Sequence, residues 1–529
     1  MPNVGGTKRT SVDWKEQDSL VAAMMDPGFY PKPSYEVSHE ETHISHLFFV
    51  GDLVYKIKKP VRFSFLDFST LQRRRFYLQQ ELQLNRRLAP SVYLGVMPIG
   101  FEEYGWRLGG WSEPREYTLV MRRLPAKRML PFLLETNQVT PAMMQELASL
   151  LARFHNMAEI IRAIDPQTYV AALENQWTEN VTDLEPFIDE PADRNTLKAI
   201  DAFGHEFLTA HQDLLLRRAD EGWIREVHGD LHADHICFAP EGIQVFDCIE
   251  FSAQLRRCDL ASEIAFLLMD LTVRGGESLR EPFVSRYREL RPDAALLELL
   301  PFFECYRTLV RAKVHALRLG KWNDYAARYF RFAARLTWEP RKPFLVLVRG
   351  FTGSGKSTLA RELGERLGMA VINSDTVRKA MAGTAGRRVV PFNQGIYCPD
   401  MTERTYTKMA REAEKQILNG KAAILDATFA RQAHREKMAH LAVKHKVPIF
   451  WIRCLASDEV IHQRLADRAA EGRNVSDGGW EIYLEQKIVY QPLDEISSAQ
   501  CLDLDTVPPV EDLGQAVESF LRSRLKQKC

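Results

Sequence analysis

The stretch FLVLVRGFTGSGKSTLAREL, residues 344–363, constrains this chain more than any other: an apolar run, a glycine-rich turn and a helix-compatible segment follow in immediate succession. Gly350-x4-Gly355-Lys356-Ser357 fits the G-x4-G-K-[ST] pattern, and the flanking strand and helix are the context that pattern requires. Gly350, Phe351, Thr352, Gly353, Ser354, Gly355, Lys356, Ser357 and Thr358 are therefore a candidate phosphate cradle. Glycines let backbone N–H groups converge on an anion, and the helix N-terminus adds positive potential. The lysine reaches outer phosphates and the Ser357 hydroxyl can ligate Mg2+. ATP with Mg2+ is the ligand pair this implies.

Around the cradle the pattern is one of short buried strands alternating with helices: FLVLVRG, MAVINSD, KAAILDATF and VPIFWIRCL. Such alternation predicts βαβ units and a mostly parallel sheet. INSDTVRK places Asp375 and Arg378 where an open α/β sheet presents its site. Asp426 ends the third strand and is a candidate partner for the metal or its waters. Arg464 and Arg468 lie at i, i+4 on one helix face, with Arg473 beyond, and such arginines can close over phosphates. A solvated basic face is the plainer alternative for them. This set resembles the small P-loop kinases related to polynucleotide kinase and zeta toxin, over about residues 343 to 500. The resemblance implies that Asp375 takes the proton of the attacking hydroxyl, that Arg378 positions the substrate, and that Arg464 and Arg468 are lid arginines.

The N-terminal part has a different texture. Residues 1 to about 40 read as a short helix plus loops. THISHLFFVGDLVYKIKKP predicts a hairpin across a Gly-Asp turn, TLQRRRFYLQQELQLNRRLAP an amphipathic helix ending before Pro90, and YTLVMRRLP another strand. Helical periodicity dominates to about residue 225. Then comes HGDLHADHICF, residues 228–238, followed by a second hairpin whose far strand ends in VFD. Phosphoryl transfer to a hydroxyl needs a proton-accepting aspartate, a lysine on the phosphates and carboxylates on the metal. Asp230, Lys56 and Asp247 offer these in order. Glu81 can pair with the lysine, and Lys58, on the same strand face as Lys56, competes for that role.

These residues resemble the aminoglycoside and choline phosphotransferases, the small-molecule branch of the protein-kinase-like fold, over about residues 40 to 335. The resemblance implies that Lys56 is the phosphate lysine, Glu81 its ion-pair partner, Asp230 the catalytic base and Asp247 a metal ligand. The whole chain is similar to a bacterial group that fuses this module to a P-loop kinase module. Two departures stand out. No glycine-rich loop precedes Lys56, and His235 stands where the family carries a metal-binding asparagine. Imidazole nitrogen is a poor ligand for Mg2+, a hard ion. Three outcomes stay open: Asp247 holds Mg2+ alone while His235 donates a hydrogen bond to phosphate, a softer ion such as manganese is used, or nucleotide binds without transfer.

The resulting expectation is an α+β protein-kinase-like domain over 1–338, followed by an α/β P-loop domain with a mostly parallel sheet over 339–529. Both would use ATP and Mg2+, the first on a small-molecule hydroxyl acceptor. A nucleic-acid 5′-hydroxyl is an alternative acceptor for the second, and a ligand-binding regulatory role an alternative for the first. Formal net charge is zero, and from residue 341 onward basic residues exceed acidic ones by only six. That lends a nucleic-acid partner little support. No apolar run suits a membrane span, no apolar signal core opens the chain, and eight scattered cysteines fit neither a disulfide framework nor zinc. A cytoplasmic setting follows, and the oligomeric state is left open. HEETH, residues 39–43, fits a zinc signature only if both histidines share a helix face, and a strand is expected there. His155 and His232 are expected to orient the catalytic-type loop, and Asp259 to cap a helix.

Overall fold

The computed structural model describes residues 11–31, 36–63, 66–110, 112–162, 165–383, 394–471, 479–492 and 497–525. It divides into two compact units, Met1–Leu184 with Gly204–Tyr329, and Glu185–Phe203 with Phe330–Cys529.

Unit 1 is α+β. Its strands β1 (Val37–Glu41), β2 (Ser45–Val50), β3 (Leu53–Lys58), β4 (Tyr93–Glu102), β5 (Gly105–Leu108) and β6 (Glu116–Arg122) form an antiparallel sheet in the order β1-β2-β3-β6-β4-β5. The hairpin turn falls at Gly51-Asp52, where Gly51 takes a φ of 56°. Along β3 the side chains alternate. Tyr55 and Ile57 join Phe48, Ile99 and Val120 in one core, while Val54 packs with Leu78 and Leu119 in another. Lys56 and Lys58 share the Val54 face by the same period of two. That face meets the helix Leu71–Asn85, which starts where the Thr70 hydroxyl accepts from the Arg73 N–H.

Sequence reasoning missed two elements here. β1 lies in the segment expected to be helix and loops, because its V-S-H-E-E composition is that of an exposed edge strand. The β4–β5 hairpin was also overlooked. H-E-E-T-H runs off β1 into the turn before β2, so no helix face presents its histidines. Instead His39 and His46 face each other across the strands at 3.0 Å.

Further along lie β7 (Ile224–Glu226), the hairpin β8 (Ile236–Ala239) and β9 (Gly242–Val245), and β10 (Arg257–Asp259), which pairs with β7. The helix Leu260–Val273 follows, begun by Asp259, whose Oδ1 accepts from the Ala261 N–H at 2.7 Å. This helix is buried nearly all round, so its acids Glu263 and Asp270 need partners inside the protein.

Unit 2 carries β11 (Leu345–Arg349), β12 (Ala370–Asn373), β13 (Ala423–Asp426), β14 (Ile449–Leu455) and β15 (Cys501–Asp505), all parallel, in the order β12-β13-β11-β14-β15. Both faces are covered, which explains the unbroken apolar runs. Val346, Val348, Ile424, Phe450 and Ile452 face one core, and Leu345, Leu347, Leu425 and Trp451 the other. The order turns at β11, so ligands are expected at the C-terminal ends of the strands beside it. β15 was not foreseen: C-L-D-L-D alternates because it is an edge strand that buries Leu502 and Leu504 on one side.

Candidate functional site

In unit 1 the two lysines of β3 divide one carboxylate. Lys56 Nζ lies 2.7 Å from Glu81 Oε1, and Lys58 Nζ lies 2.9 Å from Glu81 Oε2. Their second partners settle which lysine faces the site. Lys56 reaches Asp247 Oδ1 at 3.2 Å, whereas Lys58, fully buried, reaches Glu250 Oε1 at 2.5 Å. Burial opposes the charge of Lys56, but Asp247 and Glu81 outweigh it and raise its pKa. Glu81, which burial alone would raise, is held down by Lys56 and Lys58.

The loop that follows β7 is held from behind. Glu263 accepts from the backbone N–H groups of His228 (2.8 Å) and Gly229 (3.1 Å). Arg307 donates to the Gly229 carbonyl at 3.2 Å. Gly229 has a φ of 82°, and a Cβ there would stand 2.9 Å from the Leu255 carbonyl oxygen, so glycine is required. His228 donates from Nε2 to the Phe246 carbonyl and accepts the Asp230 N–H at Nδ1. Burial lowers its pKa to about 3, which keeps it neutral. Asp270 accepts from the Ala233 N–H, Arg274 Nε and the Tyr329 hydroxyl.

Asp230 is thereby presented toward His232 and His235, with Oδ2 3.4 Å from His232 Nε2 and 3.6 Å from His235 Nδ1. Burial favours its neutral form, but His232 above all, helped by Arg311, holds its carboxyl well below the usual range. His232 responds in kind. Burial works against its charge, yet the Asp230 charge and hydrogen bonds to Asp230 and Asp234 lift its pKa to about 9. Asp247 sits opposite. Its φ is 62°, a conformation rare for a residue other than glycine, and its N–H donates to the Tyr93 hydroxyl at 3.1 Å. Lys56 above all keeps it ionised against burial. His235 closes the circuit, with Nε2 3.6 Å from Asp247 Oδ2. Lys56, Glu81, Asp230, His235 and Asp247 thus lie in one chain of contacts. His155 does not join it, since its Nδ1 pairs with the Tyr287 hydroxyl at 2.8 Å. His232 acts on side chains more than on backbone, which sequence reasoning did not foresee.

In unit 2 the loop after β11 has Gly350, Gly353 and Gly355 at φ 151°, 80° and 82°. A Cβ on Gly353 would stand 2.9 Å from Ile461. The helix Lys356–Leu367 begins at the loop's end, with Ser357 and Thr358 in its first turn. Lys356 Nζ lies over the loop, 3.4 Å from the Phe351 carbonyl. Thr352 N–H donates to Gln486 at 2.9 Å. Ser354 is buried, and its carbonyl accepts from Thr506. Arg464 donates to Thr506 Oγ1 (3.0 Å) and Arg468 to Thr352 Oγ1 (3.3 Å), so both arginines reach the cradle. Arg473 lies outside the described residues.

Asp426 ends β13 in register with Asn373, whose amide donates to Asp426 Oδ2 at 2.6 Å. Asp426 Oδ1 is buried with no hydrogen-bond partner among the described residues, a position suited to a metal-bound water. Asp375 lies in the first turn of the helix Ser374–Met381, and Arg378 one turn on bonds it at 2.8 Å. Both line a cavity of about 130 Å³ with Lys356, Tyr397, Arg431 and Tyr406. The Arg378 guanidinium lies over the Tyr397 ring at 4.6 Å. These donor sets fit a nucleotide phosphate and a divalent ion in both units.

Residues 54–300 match a family model described as "Phosphotransferase enzyme family", and residues 345–493 one described as "AAA domain". An uncharacterized protein of Mycobacterium tuberculosis is 32% identical over 435 residues, covering 81% of this chain and 86% of the relative. Among solved structures, a choline/ethanolamine kinase family protein from Mesorhizobium loti aligns at 12% identity and a TM-score of 0.38, over 60% of this chain and 94% of that one. A putative kinase from Chloroflexus aurantiacus aligns at 21% identity and a TM-score of 0.29, over 34% of this chain and 100% of that one.

Proposed function

The chain belongs to the same family as the mycobacterial protein and joins a phosphotransferase-family domain to a P-loop domain, both of kinase type, and from that premise we propose that it is an ATP-dependent bifunctional kinase. We assign residues 1–338 to one transferase and 339–529 to the other; the compact units depart from these bounds, grouping Glu185–Phe203 and residues 330–338 in unit 2. Each moves the γ-phosphoryl group of ATP to an acceptor hydroxyl.

The observation that carries this reading is the convergence of Lys56, Glu81, Asp247, His235 and Asp230, drawn from segments up to 191 residues apart. A buried carboxylate dividing itself between two lysines is costly to maintain, and it leaves Lys56 aimed at the place where phosphates would lie. In unit 1 the acceptor O–H gives its proton to Asp230 as the new P–O bond forms and the bond to the ADP leaving group breaks. Asp230, held ionised by His232, is a weak base. That suffices where the transition state is loose and the carboxylate chiefly orients the hydroxyl. Asp247 with His235 would hold a divalent ion. When bound, such an ion neutralises charge on the transferring phosphoryl group.

In unit 2, Lys356 and the loop N–H groups bind the phosphates, and Ser357 and Asp426 would hold Mg2+ or its waters. Arg464 and Arg468 close over the phosphates. Asp375 accepts the acceptor's proton, and Arg378 positions the acceptor. The small cavity beside Asp375, lined by Arg378 and Arg431, favours a compact, anionic hydroxyl compound over a nucleic-acid strand. Both units would work in the reducing cytoplasm, as seven free cysteines among the described residues suggest.

The test is an acceptor screen with labelled ATP on the full chain and on Asp230→Ala and Lys356→Ala. Two products, each lost in one variant alone, support the reading. If only Lys356→Ala matters across the screen, unit 1 is a regulatory module.

A further inference from the structure

His235 gives unit 1 a cation site of unusual donor chemistry. Its Nδ1 lies 2.9 Å from the Asp230 backbone carbonyl, a group that can only accept, so Nδ1 carries the proton. In the neutral ring Nε2 then keeps its lone pair, and it lies 3.6 Å from Asp247 Oδ2. A lone pair facing a carboxylate oxygen gains nothing unless a cation lies between them. The other Asp247 oxygen is taken by Lys56, and the backbone at Asp247 is left-handed. A ring nitrogen anchored to a backbone carbonyl while the other stays open is the usual arrangement of a metal-binding histidine.

Asp230, His232 and His235 bring ligand atoms within 4.8 Å of one another, but His232 is committed elsewhere. It lies between Asp230 and Asp234, with Arg311 3.3 Å from its Nε2. A guanidinium at that nitrogen opposes a metal there. The available pair is His235 Nε2 and Asp247.

Their donor chemistry has a consequence for the ion. Mg2+ is a hard ion that favours oxygen donors, and an imidazole nitrogen beside a carboxylate suits first-row transition divalent ions better. Resting on the reading of unit 1 as a nucleotide site, we infer that His235 Nε2 and Asp247 form a mixed nitrogen–oxygen site selecting a first-row transition divalent ion over Mg2+.

Pulsed EPR on the full chain, loaded with Mn2+ and a non-hydrolysable ATP analogue, reads the ligands of the unmodified protein. None of the metal ligands proposed for unit 2 is a histidine, so imidazole nitrogen coupling to Mn2+ reports His235. The coupling is expected in the native chain and absent from His235→Asn. Competitive binding should show Mn2+ and Co2+ favoured over Mg2+ at least tenfold more by the native chain than by His235→Asn. Bound Mn2+ without imidazole coupling, or equal ion preference in the two proteins, overturns the inference while leaving unit 1 a nucleotide site. If Asp247→Asn also binds as much ion as the native chain, no ion binds in unit 1, and the proposed transferase reading of that unit fails as well.

Discussion

The two units reach the same chemistry by opposite means. On the proposed reading, unit 2 would hold phosphate with one contiguous loop whose glycines take positive φ, and its lysine follows directly in the sequence. Unit 1 uses side-chain charge buried by the fold: Lys56 on a strand, Glu81 on a helix, and Asp247 far along the chain. The first site is local and depends on backbone conformation. The second exists only when its sheet and loops are assembled, so it should be the more sensitive to substitutions distant in sequence.

The largest expected effect separates the two activities. Asp230→Asn should lower transfer by unit 1 about 10²–10⁴-fold, the usual range for a positioned base, and leave unit 2 unchanged. Lys356→Ala should do the reverse. Steady-state rates on each acceptor check this, and joint loss in either variant would break the contrast.

Glu81→Ala removes the carboxylate that two buried lysines share, leaving Lys56 to Asp247 and Lys58 to Glu250. Removing one partner of a buried pair costs about 3–5 kcal/mol, so unit 1 should unfold at markedly lower denaturant in a two-transition melt, with the unit 2 transition in place. Gly353→Ala puts a side chain at φ 80° against Ile461. A penalty of about 1–2 kcal/mol should weaken nucleotide binding by unit 2 roughly tenfold, as titration calorimetry would show.

A further effect is on pH. His232 has a folded pKa raised to about 9, so it contributes stability that is fully present below its unfolded pKa of about 6.5 and lost as pH rises to 9. Denaturation midpoints of unit 1 should therefore fall across that window, and His232→Gln should flatten the fall. Equal slopes in both proteins would contradict this.

What could be read from sequence follows the same contrast. The P-loop, its flanking strand and helix, and Asp426 at a strand end are visible because each lies within one segment. Lys56, Glu81, Asp230 and Asp247 could be named only as residues of the right type in the right order, and Lys58 stayed a competitor until Glu250 was found to occupy it. Glu263 and Asp270 were invisible: within LASEIAFLLMDLTV they look like polar interruptions of a core helix, yet they hold the backbone of the HGD loop. Thr506 and Gln486, which brace the P-loop, come from segments with no phosphate signature. Edge strands β1 and β15 escaped notice because polar residues interrupt their apolar pattern.

The claim that two separate phosphate sites coexist in one chain is tested most directly by the stoichiometry of a non-hydrolysable ATP analogue in equilibrium dialysis. Two bound per native chain are predicted, one in Lys56→Ala, one in Lys356→Ala, and none in the double variant. A single bound analogue in the native chain, abolished by Lys356→Ala and indifferent to Lys56→Ala, would contradict the account.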